Sequence, residues 1–585
     1  MRRLSFQFRS RLYGSVGVFV LLCLGGLFWA WHNFFLAHSK FVPDEGGIFT
    51  ESTIGTLKNL NPLANDVTLF DRDLQQLIFS GLLRYNPVSG QIEGALADFR
   101  ISEDSRTYFL TLKDSARFQN GDPVTTDDVL FTFEKIIQNP HFDNTILRDA
   151  FEYVSLDTVD NRTVSFSLPE QNVFFLSLLT TPVLSAKEYR NALIEEITDP
   201  DFPANKNPIG AGPYKLKNII PSDNGSVRVF LEKNPYFYDG VPYIEQIVFY
   251  IYPDFEHLNS DHPWSTMFSK IPFAWLETFV KKLFDTYQLG AEYQKREYLL
   301  PRFTALFFNL DQPLTANPNV RKALKLSLEK SKILEKETGW NQIDSFFFFE
   351  GIESWHIPDV REATRYLRDG GFPYDSEEEM RMTPNGTPFT LRVVTSTSPP
   401  VYSRFTQNIA RSWGKNLGIQ VDLAVLEPNE FQEALETRNY DVVLFGQNFS
   451  QNFDSLSTWH SSQSGKFNLS NLTHEDVDFL IDEVRFSGAG SDLFALNEKL
   501  DEIIPAIVLA TPKYNLLLSQ ELHGFSNTFG KVRSHSERFF DANKWYFFEK
   551  RDWDWPQGKS KLWGFIKWIF GATPPLPQSG ENADT

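Results

Sequence analysis

PFTLRVVT (388–395), SRFTQNIARSWGKNLG (403–418), IQVDLAVL (419–426), PNEFQEALETRN (428–439) and YDVVLFG (440–446) follow one another with few residues between them. The first, third and fifth are short runs rich in apolar and β-branched residues, which read as strands. In the second, Phe405, Ile409, Trp413 and Leu417 recur every four residues, as one face of a helix requires. The fourth carries Pro428 near its start, where a helix has no need of the missing N–H. A β-α-β-α-β order with right-handed crossovers makes the three strands parallel in one sheet. Ligands of such sheets sit beyond the carboxyl ends of the strands, which here are Thr395–Ser398 and Gly446–Asn448.

The sequence ahead of this block has another texture. Short stretches rich in Thr, Tyr and Phe (RTYFLTLK, RTVSFSL, VRVFLEK, IEQIVFYIY) alternate with turns such as QNGDP and NPYFYDG. TTDDVLFTFEKIIQN reads as a helix, with Thr126 as its cap and Asp127 and Asp128 on its positive end. This half is α+β, the later half α/β. The 585 residues exceed what one core supports, and two differently built lobes predict a cleft between them.

At the N-terminus, Val16–Leu36 is an uncharged run long enough to cross a bilayer as a helix. Arg2, Arg3, Arg9 and Arg11 precede it without an acid, while Lys40, Asp44 and Glu45 follow. The positive-inside rule then places 1–15 in the cytoplasm and everything after about residue 40 outside. A cleaved signal peptide competes with this reading. Against it, Phe35-Leu36-Ala37 lacks a small-x-small cleavage site, and Leu22 stands where a lipoprotein signal wants a small residue before Cys23. The expectation is an uncleaved anchor over 16–36, with the body on the outer face of the cell membrane (the periplasmic or extracellular side). Cys23 is the only cysteine, so that body has neither disulfide nor thiol chemistry.

A net charge of −19 and a pI near 5.1 exclude a nucleic-acid partner, which wants clustered cations. No G-x-x-x-x-G-K-[ST], G-x-S-x-G or H-E-x-x-H occurs, and the ten histidines are scattered. GAGP at 210–213 lacks the rest of a dinucleotide loop, and Pro213 removes an amide that phosphate would need. No catalytic residue, metal ligand or cofactor is expected, and the protein is expected not to be an enzyme. Near the C-terminus, SKLWGFIKWIF places Leu562, Trp563, Phe565, Ile566, Ile569 and Phe570 on one helical face flanked by Lys561 and Lys567. Two readings stand: a helix lying in the membrane interface, or one docked on its own lobe. The Pro/Ser-rich tail is expected to be disordered.

Several motifs in order resemble the extracytoplasmic solute-binding proteins of peptide-type ABC importers, the oligopeptide- and dipeptide-binding group (family 5). They are Leu60-Asn61-Pro62, Ile78–Leu83, Gly94–Ala97, the block Tyr108–Val129, Pro208–Tyr214 and Asn234–Ile244. Phe308-Asn309, Pro318–Leu324, Gly371-Phe372, Leu417–Ile419, Tyr440-Asp441, Val477-Asp478 and Ile504-Pro505 continue the series. The resemblance implies an α/β, two-lobe periplasmic-binding-protein type II architecture with an extra subdomain in an α+β first lobe. It implies capture of oligopeptides or similar solutes, held by strand-like hydrogen bonds, and delivery to ABC permease subunits. A sensory ectodomain that reports ligand to a membrane partner is the alternative.

The expected organisation is a basic segment 1–15, an anchor 16–36, lobe I over 45–304 and lobe II over 305–504. A return to lobe I over 505–555, an amphipathic helix over 559–571 and a tail over 572–585 follow. Ligand contacts are expected from Thr56, Leu57 and Lys58 in the first lobe and from Gln447, Asn448, Asn452, Asp454 and Trp459 in the second. The sequence departs from the family where an aspartate often meets the ligand's α-amine: Gln447 stands for its tryptophan and Ser450 for the aspartate, leaving Asp454 as the acid. Asp454 is then either the amine's partner or a helix cap. The 255–300 segment lacks the family's usual element, and Phe346–Phe349 is expected as a buried strand or an aromatic wall facing ligand.

Overall fold

Strands Thr390–Ser396, Gln420–Leu426 and Val442–Asn448 lie parallel in one sheet, the first between the other two. Helix Pro400–Leu417 buries Tyr402, Phe405, Ile409, Trp413 and Leu417 against it, the four-residue spacing at work. It ends at Gly418, whose φ of +71° glycine adopts without strain; a Cβ there would lie 2.6 Å from the Tyr374 ring.

The computed structural model describes residues 2–253, 257, 293–299, 302–335, 337, 339–347, 357–448, 454–487, 490–526, 533–555 and 559–569. Asn452, Phe348, Phe349, Phe570, the tail 572–585 and most of 255–300 lie outside them. By internal contacts the chain forms two compact units, Ile48–Trp545 and a smaller one of Met1–Gly47 with Tyr546–Thr585.

In the larger unit the sheet continues beyond its parallel strands. Arg302–Phe308 runs antiparallel to Val442–Asn448, and the first part of the long strand Ala506–Ser519 runs antiparallel to Arg302–Phe308. The last part of that long strand pairs with Tyr293–Leu299. The chain therefore enters this sheet through 293–308 and leaves it through 506–519 along one antiparallel ribbon. Apolar layers cover both faces, with Leu306, Phe405 and Trp413 in one and Phe307, Val443 and Trp459 in the other. Phe346 and Phe347 belong to the second layer from a bend, not from a strand.

The first half builds a separate sheet in the order Ile48–Ile54, Gln246–Tyr252, Val227–Lys233, Tyr214–Pro221. A second, antiparallel sheet (Ala97–Ile101, Thr107–Leu112, Thr163–Ser167, Ser155–Thr158) is inserted between its first and later strands. The result is a two-lobe α/β molecule with an extra subdomain in the first lobe. The helix expected from TTDDV begins one residue earlier than read. Thr125, not Thr126, is the N-cap, and both its N–H (2.8 Å) and its hydroxyl (2.7 Å) donate to Asp128.

The segment expected to return to the first lobe divides instead three ways. Residues 506–519 are a strand of the second lobe's sheet, and Phe548–Trp553 pairs with Ser39–Asp44 in the smaller unit. The part from His535 to Trp545 packs on the first lobe, with Trp545 5.2 Å from the Phe49 ring and Asn543 donating to the Asp239 carbonyl at 2.8 Å. Arg538, fully buried, fastens it with a bidentate pair to Asp73 (2.9 and 2.7 Å), a bond to Glu51 (2.6 Å) and one to the His535 carbonyl (2.8 Å). The partners are far apart in sequence, so the pattern of any one segment does not announce them.

The smaller unit contains a continuous helix, Arg2–Ala37, in which Val16–Ala37 is long and apolar enough to cross a membrane. The C-terminal end of this helix is stitched to residues 553–568. Phe34 is fully buried among Trp553, Trp555, Phe565 and Trp568, at ring separations of 5.4–5.7 Å. The terminal helix Lys561–Ile569 lies against it, with Phe565 edge-on to Trp31 at 4.8 Å. That helix therefore packs on the N-terminal helix. Of the two readings open at the sequence level, neither had anticipated this partner.

Candidate functional site

The carboxyl ends of the parallel strands converge around Gly446. A Cβ at this position would come within 2.1 Å of the Tyr402 hydroxyl and 3.0 Å of the Arg302 guanidinium, so the backbone approaches both only because the residue is glycine. Tyr402, buried by its helix, also reaches the Thr304 hydroxyl at 3.4 Å. Gln447 follows, half-buried, with a side-chain carbonyl oxygen that meets no hydrogen-bond partner among the described residues. Such an orphan acceptor is costly unless something outside the chain satisfies it. Asn448 closes the strand.

Asp454 starts the short helix Leu456–Trp459, accepting the Leu456 N–H at 3.1 Å, and its other oxygen lies 3.4 Å from Arg485 Nε. Arg485 is the penultimate position but one of helix Glu475–Ser487, and its carbonyl accepts the Val173 N–H of the first lobe at 3.0 Å. The carboxylate thus sits close to a place where the lobes touch. Trp459 has no exposed surface: it packs on Phe307 (5.7 Å) and Phe346 (5.3 Å) in the core of the second lobe. Its isolation from solvent differs from the ligand contact expected of it.

On the first lobe, Thr56, Leu57 and Lys58 run past the start of helix Leu69–Ile78. The Thr56 carbonyl accepts the hydroxyl of the cap residue Thr68 (3.0 Å), and the Lys58 N–H donates to Asp71 (3.0 Å). Lys58 Nζ pairs with Asp66 at 3.0 Å in solvent. Thr56 is exposed and Leu57 half-buried, and neither N–H finds a backbone partner among the described residues. Their segment extends an edge strand, Ile48–Ile54, and can accept an added strand.

Beside this helix lies a cavity of about 520 Å³, lined in part by Arg72, Gln76, Tyr85, Thr181, Ser536 and Glu537. Burial pushes the Glu537 carboxyl up from 4.5 to about 7, against the pull of the Arg533 and Ser534 N–H groups (2.6 and 3.3 Å). Burial likewise raises Tyr85, opposed by Arg533, whose guanidinium stacks 3.4 Å from the ring centre. The sequence reading missed this cavity because its walls come from segments more than 400 residues apart. Among the described residues, no cluster of three or more His, Cys, Asp or Glu is placed to hold a metal ion.

The two-lobe chain thus carries polar groups at the strand ends of its second sheet and an open edge strand in its first. The sequence model of bacterial extracellular solute-binding proteins, family 5 (middle region), matches residues 91–468. The chain belongs to this family. Its relatives include the oligopeptide-binding protein AppA of Bacillus subtilis, 21% identical over 533 residues, covering 86% of this chain and 92% of AppA. The solved structure of that AppA with a nonapeptide superposes with a TM-score of 0.68 at 19% identity, covering 87% of this chain and all of the other. Family-5-like folds are not confined to peptide complexes. NikZ from Campylobacter jejuni, solved with Ni(L-His), aligns with a TM-score of 0.67 at 19% identity over 85% of this chain and 99% of its own. The family is one of solute-binding proteins.

Proposed function

We propose that this protein is a membrane-tethered receptor that captures oligopeptides or similar solutes between its lobes and hands them to an ABC importer. Binding is supported by the family match and by the likeness to AppA, whose structure holds a nonapeptide. The contacts belong to Thr56, Leu57 and Lys58 on one side and Gln447, Asn448, Asn452 and Asp454 on the other. Trp459 supports that wall from behind. Ligand bridges the two sides and draws the lobes together along the ribbon, which shifts the population toward a closed form that a permease recognises.

The observation that carries the tether is the burial of Phe34. A cleaved signal would remove Trp31, Phe34 and Phe35 from an aromatic cluster in which Trp553, Trp555, Phe565 and Trp568 depend on them. Exposing that cluster would leave a large apolar patch on a protein otherwise built for water. The tether holds the capture body near its permease and raises its effective concentration there. N-terminal sequencing of the mature protein, with alkaline extraction of membranes, tests it: a chain beginning after residue 37, or released by carbonate, refutes the tether. Titration calorimetry with a mixed peptide pool tests the ligand, and absence of heat from every pool refutes the peptide reading. Co-purification in mild detergent with permease subunits, as against a kinase or receptor, separates transport from sensing.

A further inference from the structure

Between the N-terminal helix and the terminal helix lies a groove of about 560 Å³, walled by Leu27, Phe28 and Trp31 on one side and Leu562, Ile566 and Ile569 on the other, with Phe565 as its floor. Every lining side chain is apolar or aromatic. The walls are also open to the surroundings: Phe28 is 72% exposed, Leu562 61% and Ile569 41%. In water such a groove would be an aggregation liability. Its position explains it, because it opens on the same helix as the span Val16–Ala37 and toward that helix's outer end.

The rim carries cations. On the terminal helix, Lys561 Nζ lies 5.1 Å over the Trp553 ring and Lys567 Nζ 5.6 Å over Trp563. Neither forms an ion pair among the described residues, whereas the neighbouring acids Asp44 and Asp554 are matched by Lys550 (2.7 Å) and Lys40 (3.3 Å). Asp552 accepts the Trp553 N–H at 2.7 Å, and Glu549 accepts the Tyr546 hydroxyl at 3.2 Å. An apolar slot continuous with a membrane span, rimmed by unmatched cations and by indoles at the level of a bilayer interface, has the chemistry of a phospholipid: a chain for the slot and a phosphate for the rim. Gly564 completes the seat, since a Cβ there would lie 2.1 Å from Trp555 and push the terminal helix off.

We infer that the groove holds an acyl chain of a phospholipid from the outer-facing leaflet, with Lys561 and Lys567 on its phosphate. This rests on the tether proposed above. The lipid holds the terminal helix in its seat on the tether.

The test uses the full chain, with Cys23→Ser as background, reconstituted alone in nanodiscs of phosphatidylethanolamine and phosphatidylglycerol. Nitroxide labels on Leu562→Cys, Ile566→Cys, Leu21→Cys and Tyr153→Cys report contact with oxygen, which concentrates in lipid, and with a nickel chelate, which stays in water. Leu21 and the two groove positions are expected to be oxygen-rich and nickel-poor, and Tyr153, on the binding body, the reverse. Groove labels as nickel-accessible as Tyr153, with Leu21 protected, overturn the lipid seat and leave the tether standing. A nickel-accessible Leu21 overturns the tether itself. Loss of groove protection when the chain is ended at residue 571 would show that its own tail fills the slot, and overturns the inference. Mass spectrometry of complexes ejected from the discs adds a second readout. Lys561→Glu with Lys567→Glu should cut retained phosphatidylglycerol about tenfold, and unchanged retention counts against the phosphate contacts.

Discussion

Replacing Arg538 by methionine tests how the segment around His535–Phe539 is held to the first lobe. Methionine keeps the length and apolar stem of the side chain but removes the guanidinium. Lost with it are the two bonds to Asp73, the bond to Glu51 and the bond to the His535 carbonyl. Glu51 and Asp73 then keep no solvent-exposed surface and lose that guanidinium. Removing one member of a buried ion cluster typically costs about 3–5 kcal/mol, mostly because the remaining charges stay desolvated. At about 2–4 °C per kcal/mol for a lobe of this size, thermal unfolding by circular dichroism at pH 7.5 should move down by about 6–20 °C. The deficit should shrink toward pH 5, because a dry carboxylate without its cation takes up a proton more readily. Adding Glu51→Gln and Asp73→Asn to Arg538→Met should recover most of the loss. A drop below about 1 kcal/mol at pH 7.5, or one that grows on acidification, would refute this account of the cluster.

Three further outcomes follow from particular contacts. The folded Glu537 carboxyl titrates at about 7 against an ordinary 4.5, so the folded state binds more protons between those values and stability falls as pH rises through them. Glu537→Gln keeps an acceptor for the Arg533 and Ser534 N–H groups, and should flatten that slope and add up to about 3 kcal/mol at pH 8, read by denaturant titration across pH 4–8. Asp454→Asn should weaken peptide binding by less than about tenfold in calorimetry, because Arg485 already faces that carboxylate; a loss above about a hundredfold would make Asp454 the partner of a ligand amine. Gly446→Ala should cost about 1–3 kcal/mol in urea unfolding, since the new methyl group meets the buried Tyr402 hydroxyl, and a neutral result would show that Tyr402 can swing aside.

The parallel strands were legible because their register is local: five adjacent segments, each with its own period, leave one handedness of connection open. The same holds for the helix Pro400–Leu417, whose buried residues are the ones its spacing selects. Of the inserted sheet, Thr107–Leu112 and Thr163–Ser167 were legible as strands but Ala97–Ile101 and Ser155–Thr158 were not, because pairing partners are set by contacts that no single strand encodes. Trp459 shows the limit at the site. A tryptophan next to the strand ends reads equally well as a ligand platform or as core, and only the positions of Phe307 and Phe346 put it in the core. Thr56–Lys58 carried no pattern of their own; what distinguishes them is the edge strand they extend.

By itself the sequence determined the apolar span, the parallel order of the later strands and the absence of cysteine chemistry from the body, because each depends on composition or on period along the chain. Tertiary structure decided how distant segments close on one another. Arg538 joins two acids more than 400 residues upstream, and the long strand Ala506–Ser519 belongs to the second lobe. The terminal helix rests on the end of the span through Phe34 and Phe565. Burial of a charge or a ring is a property of what surrounds it in space, and period along the chain carries no record of that.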